Sequence, residues 1–153
     1  MTKKRIVSTC FCFDLCRDIC PRLYHGLSHV GHPDLCSLKA RNKNVLILSH
    51  TVDPQKDTVA ALKAYSLRFD ADPAQWMFLT GDKKELYEMA RYSYLISALD
   101  DTAGVSIDKD FIHDKHYALV DGFGRIRGFY DGLDPENVKQ LITDIGALLK
   151  EKI

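Results

Sequence analysis

Short apolar runs rich in β-branched and aromatic residues alternate along this chain with stretches of helical periodicity, and a glycine-containing turn separates the last two runs. Residues 6–13 suit a buried strand. Pro21 and the spacing of Leu23, Leu27 and Val30 place a helix after it, ended by Gly31, His32 and Pro33. Residues 45–48 form a second strand covered on both faces, and the apolar positions from Val59 to Phe69 a second helix, which stops near Asp72 and Pro73. A third strand spans residues 76–79. Asp82, with Glu85 three residues later, caps a third helix running through Tyr94. Residues 98–110, rich in Asp, read as a surface loop. Strands over residues 117–120 and 126–130 then flank a hairpin turn, and Asp134 with Pro135 opens a last helix to Leu149.

That order, β-α-β-α-β-α-β-β-α, predicts an α/β fold with a central mixed sheet flanked by helices. Parallel crossovers build one half of the sheet and the hairpin builds the other. At 153 residues the chain reads as one domain, residues 1–153, able to bury roughly 70% of the surface its unfolded form exposes. No run is apolar enough to cross a bilayer. Lys+Arg and Asp+Glu both number 21, so no positive field draws the chain to phosphate backbones, and nucleic acid is excluded as an expected partner.

Four of the five cysteines, Cys10, Cys12, Cys16 and Cys20, lie within eleven residues; the fifth is Cys36. An odd, clustered set argues for local thiol or metal chemistry over a distributed disulfide framework. Cys16 and Cys20 are four apart where strand gives way to helix, so both sulfurs can share one side of a first turn whose unpaired N–H groups favour thiolate. Such a pair suits a disulfide or a soft ion such as Cu(I), and two buried core cysteines are the bland alternative. Cys10 and Cys12 alternate along the first strand. His25, His29 and His32, spaced four and three apart, read as a polar helix face, and Asp100, Asp101, Asp108 and Asp110 lack the spacing of a calcium loop.

The segment Cys16-Arg17-Asp18-Ile19-Cys20-Pro21 resembles the cysteine motif of the Sco/SenC family. Further segments fall in that family's order: Leu48-Ser49-His50-Thr51-Val52-Asp53-Pro54, Asp57-Thr58, Thr80-Gly81-Asp82, Ala90-Arg91, and Asp110-Phe111-Ile112-His113 ahead of Leu119-Val120-Asp121. The resemblance implies a thioredoxin-like fold and copper, Cu(I) or Cu(II), held by Cys16, Cys20 and His113. His116 is the nearest competitor for the histidine position and reads as a residue at the edge of a strand. Arg17 stands where the family has proline.

By the same resemblance the chain is a metallochaperone that delivers copper to, or maintains the thiols of, the dinuclear copper site of cytochrome c oxidase. Its partner is then the oxidase subunit carrying that site, or another copper or thiol protein. The implied location is the periplasm or a membrane surface facing it, although the sequence shows no export signal or anchor and lacks the family's first strands. The alternative is an enzyme, a thiol-disulfide oxidoreductase with Cys16 and Cys20 as its redox dithiol. Oxidoreductases of this kind carry a cis proline where this chain has His113, which favours copper.

Overall fold

In the computed structural model, residues 6–11, 44–68, 71–95 and 116–151 are described. Five strands among them form one sheet: β1 (Ile6–Phe11), β2 (Val45–His50), β3 (Trp76–Leu79), β4 (His116–Val120) and β5 (Ile126–Asp131), in the order β3-β2-β1-β4-β5. β1 and β2 are parallel, as are β2 and β3, whereas β4 runs antiparallel to both β1 and β5. This is the mixed sheet expected from the sequence. The helices among the described residues are α1 (Val59–Leu67), α2 (Lys83–Glu88), continued by a π-helical turn at Met89–Ser93, and α3 (Pro135–Leu148). The expected helix after Pro21 and the loop over residues 98–110 lie outside the described residues.

Alternation along β2 assigns the two faces of the sheet. Val45 and Ile47 point to one side and pack with Leu62 and Tyr65 of α1, Trp76 of β3, and Val138, Leu141, Ile145 and Leu148 of α3. The α3 residues recur at spacings of three, four and three, a single apolar stripe that lays the helix on the sheet. Each fully buried aliphatic side chain there contributes about 1.5–3 kcal/mol relative to exposure. The indole Nε1–H of Trp76 donates to Ser49 Oγ at 3.0 Å, which lets a polar group of β2 enter this core without an unmet hydrogen bond. His50 alternates to the opposite face, where Ala90 packs with Val52, Met89 and Tyr94.

Local chemistry fixes where the elements begin. Thr58 caps α1 through Ala61 N–H, Asp82 accepts from Lys84 N–H and Glu85 N–H, and Asp134 accepts from Glu136 N–H with Pro135 in the first turn of α3. Each cap satisfies donors that the helix itself leaves open. Between β4 and β5, Gly124 has φ 81°, a left-handed conformation that glycine adopts without penalty. Asp121 knits that hairpin: its carboxylate accepts from Phe123 N–H and Arg125 N–H, from Arg125 Nε at 2.8 Å and from Arg127 at 3.3 Å. Arg127 also forms a two-pronged pair with Glu151 just beyond α3, at 3.1 and 3.0 Å.

The helix expected to run through Tyr94 does so, but not uniformly. The α-helical pattern ends at Glu88, and Tyr94 N–H reaches back five residues to the Met89 carbonyl at 3.1 Å. Such π turns occur frequently at functional sites. Leu95 follows with φ 56°, the one non-glycine residue at positive φ among the described residues.

Candidate metal centre

Because β1, β2 and β3 are parallel, their carboxyl ends lie together at one end of the sheet, and antiparallel β4 begins at that same end. The register makes this concrete: Phe11 pairs with His50, His50 with Leu79, and Cys10 with Tyr117. In sheets of this type ligands bind outside the carboxyl ends of the strands. Cys16 follows the last residue of β1 by five positions, and His113 precedes the first residue of β4 by three. Those tethers span at most about 18 Å and about 11 Å when fully extended. The sheet thus brings the points from which the cysteine motif and His113 depart to one place.

Cys16, Cys20 and His113 themselves lie outside the described residues, as do Cys12, Cys36, His25, His29, His32 and the four aspartates of residues 100–110. Cys10 belongs to β1, in backbone register with Ser49 and Tyr117. His116 opens β4 and is partly buried, in keeping with the strand-edge reading. Among the described residues, no group of three or more His, Cys, Asp and Glu side chains is arranged to hold a metal ion. The donor set read from the sequence, two thiols and one imidazole, is chemically suited to copper, since soft thiolates select Cu(I) and imidazole binds copper well.

The loop after β2 is a buried, hydrogen-bonded polar shelf at this end of the sheet. Thr51 is fully buried; its hydroxyl donates to Asp57 Oδ2 at 2.5 Å and accepts from Asp53 N–H at 3.0 Å. The Asp53 carbonyl accepts from Lys56 N–H and Asp57 N–H, and its carboxylate pairs with Lys56 Nζ at 3.0 Å. Asp53 and Asp57 are both buried. Carboxylates withdrawn from water are stable only when hydrogen-bonded or paired, so this shelf depends on Thr51 and Lys56 keeping their places.

His50 is the feature that sequence reasoning missed. It closes β2 with only 4% of its surface exposed, and its ring lies 6.0 Å from that of Tyr94, inclined at 51°. Burial pulls its pKa down from the ordinary 6.5 to about 4, so the imidazole is neutral at physiological pH. The available signal is a histidine two residues after the apolar run Val45-Leu46-Ile47-Leu48. In the sequence it stands only as one residue of the segment Leu48-Ser49-His50-Thr51-Val52-Asp53-Pro54.

The profile of the SCO1/SenC family matches residues 2–150. The chain belongs to the SCO1/SenC family. Among its relatives, the SCO1 protein homolog of Bacillus subtilis (strain 168) is 28% identical over 136 residues, which cover 88% of this chain and 66% of that protein. Just under two thirds of that relative's length is therefore represented. Solved SCO1/SenC structures share the fold. A family lipoprotein from Bacillus anthracis str. Ames superposes with a TM-score of 0.76 at 22% identity, covering 97% of this chain and 83% of that one. BsSco, described as a member of the Sco family of cytochrome c oxidase assembly proteins in which a disulfide switch was identified, gives 0.73 at 26%, with coverages of 98% and 83%. Yeast Sco1 with copper bound gives 0.65 at 23%, with coverages of 97% and 80%. The thioredoxin-like fold expected from the sequence is the fold of these neighbours, and the five-stranded mixed sheet is its signature here.

Proposed function

We propose that this SCO1/SenC chain is a copper carrier, holding one copper ion through the thiolates of Cys16 and Cys20 and the imidazole of His113. The observation that carries the reading is the pairing of Cys10 with Tyr117, because it brings the exit toward Cys16 beside the entry from His113. Yeast Sco1, which has this fold, binds copper, and that supports the same ligand for this chain. Two thiolates and one imidazole accept Cu(I) as a compact, soft site and can also accommodate Cu(II). The cargo would pass to the dinuclear copper site of cytochrome c oxidase, in line with the oxidase-assembly role described for BsSco.

A dithiol role is the second reading, and the disulfide switch of BsSco favours it. Here Cys16 and Cys20 would reduce a disulfide in the oxidase subunit, releasing two protons and two electrons as they pair. Against a general reductase stands the stretch Phe111-Ile112-His113-Asp114-Lys115, which lacks the proline such enzymes place ahead of this strand. We also place the protein at a membrane face, in the periplasm or its equivalent, as the lipoprotein relative suggests. Among the described residues no helix is long and apolar enough to cross a membrane.

Anaerobic titration of the reduced protein with Cu(I) and Cu(II), followed by absorption spectra, tests the carrier reading. The expected result is about one copper per chain, with roughly a tenfold or greater loss of Cu(II) affinity in His113→Ala and little change in His116→Ala. Equal copper affinity in the wild type and His113→Ala would refute the site as drawn.

A further inference from the structure

We propose that the groove between α1 and β3 is a docking site for a partner protein, which enters it as an extended segment carrying an acidic residue with an apolar residue two positions away on each side. Copper plays no part in it. The groove encloses about 580 Å³, with α1 as one wall and β3, which ends the strand order on that side, as the other. Its lining is mainly apolar: Trp76 and Phe78 lie in it with their rings stacked at 5.2 Å, and the Tyr65 ring meets Phe78 edge-on at 6.0 Å.

The helical wall supplies the recognition pattern. Val59, Lys63 and Leu67 recur every four residues, so they share one face of α1, and all three border the groove. Val59 and Leu67 are 74% and 73% exposed. Scattered exposed apolar side chains are ordinary, but these two extend an apolar hollow into a continuous patch, and such patches mark interaction surfaces.

Charge selects the occupant. Lys63, exposed midway between Val59 and Leu67, is the one charged residue in the described lining. Among the described residues it has no carboxylate partner, whereas Lys56 is paired with Asp53 and Lys84 with Glu88. A cation in the middle of an apolar seat favours a ligand that is apolar at both ends and acidic at its centre.

Dimensions select its conformation. Val59 and Leu67 are about 12 Å apart along the helix axis at 1.5 Å per residue, and four steps of extended chain cover about 13 Å. Side chains at the first, third and fifth positions of an extended segment point the same way, so they can meet Val59, Lys63 and Leu67 in turn. Spread over about 12 Å, the groove has a cross-section of about 50 Å², close to the roughly 4.8 by 10 Å of one strand with its side chains and about half that of a helix 10–12 Å across.

Calorimetric titration of the full chain with the synthetic peptide acetyl-Leu-Ser-Glu-Ser-Leu-amide, followed in parallel by the fluorescence of Trp76, the single tryptophan, tests this. One-to-one binding is expected, with a dissociation constant of roughly 1 mM or tighter and about fivefold weaker binding of the same peptide with Lys in place of Glu. Lys63→Glu should invert that preference, and Leu67→Ser should weaken the Glu peptide by roughly threefold. Both positions are exposed, so neither change disturbs the core. Equal affinity for the two peptides, a preference unchanged in Lys63→Glu, or no heat and no fluorescence change at millimolar peptide overturns the proposal. Sedimentation showing that the chain associates with itself, with that association lost in Lys63→Glu and in Leu67→Ser, overturns it in favour of a second copy on this face.

Discussion

Cys10 and Tyr117 are Cα partners across the antiparallel ladder of β1 and β4. From that pair the chain runs forward to Cys16 and back to His113, so residues about a hundred positions apart in sequence become neighbours at their points of departure. The arrangement is a property of the sheet. It requires a parallel β1–β2–β3 half and an antiparallel β4 entering from the end where β1 finishes.

The shelf after β2 predicts a stability effect at Thr51. Thr51→Val keeps the shape of the side chain but removes the hydroxyl that donates to Asp57 and accepts from Asp53 N–H. A buried carboxylate then loses a donor, and the expected cost is about 1–3 kcal/mol. Urea denaturation should show a lower midpoint with an unchanged slope, and Thr51→Ser should recover much of the loss. An unchanged midpoint in Thr51→Val would contradict this account of the shelf.

Asp121 predicts an acid limb in stability. Burial alone would push its carboxyl up, but hydrogen bonds from the Arg125 backbone and guanidinium, Phe123 N–H and Arg127 outweigh it and hold the native pKa well below the usual carboxylate range. A depressed native pKa contributes stability that is fully present above the unfolded value of about 4 and is lost as pH falls through the native value. Asp121→Asn should be less stable than wild type at pH 6, with the gap closing as the pH is lowered toward 2. A gap independent of pH, measured by urea denaturation, would count against Asp121 as the titrating group.

Much of this fold was legible from particular residues. The boundaries of β3 and α3 could be read because Asp72-Pro73, Thr80-Gly81 and the Asp134-Pro135 cap are strong local signals. β2 extends two residues beyond its apolar run, to Ser49 and His50, because the ladder with β1 and β3 continues regardless of side-chain polarity. The π turn left no trace in the periodicity, since one extra residue per turn over Met89–Ser93 is too brief to change the pattern. For the site, the family motif points to Cys16, Cys20 and His113, while the burial of His50 and its contact with Tyr94 depend on tertiary structure and leave no mark in the sequence.

Spacing also predicts which thiols pair. Mild oxidation of the reduced protein should join Cys16 to Cys20, each thiol giving up a proton and the pair two electrons to the added oxidant, and copper binding should be lost with the thiolates. Peptide mapping under non-reducing conditions would identify the bridge. A bridge from Cys10 or Cys12 to Cys16 would contradict the assignment.

X-ray absorption at the copper edge, on reduced protein loaded with one equivalent of Cu(I), tests the central claim most directly. The account predicts two sulfur scatterers and nitrogen from His113, with the sulfur contribution abolished in the double variant Cys16→Ser with Cys20→Ser. A first shell of nitrogen and oxygen alone, or a spectrum unchanged in the double variant, would contradict it.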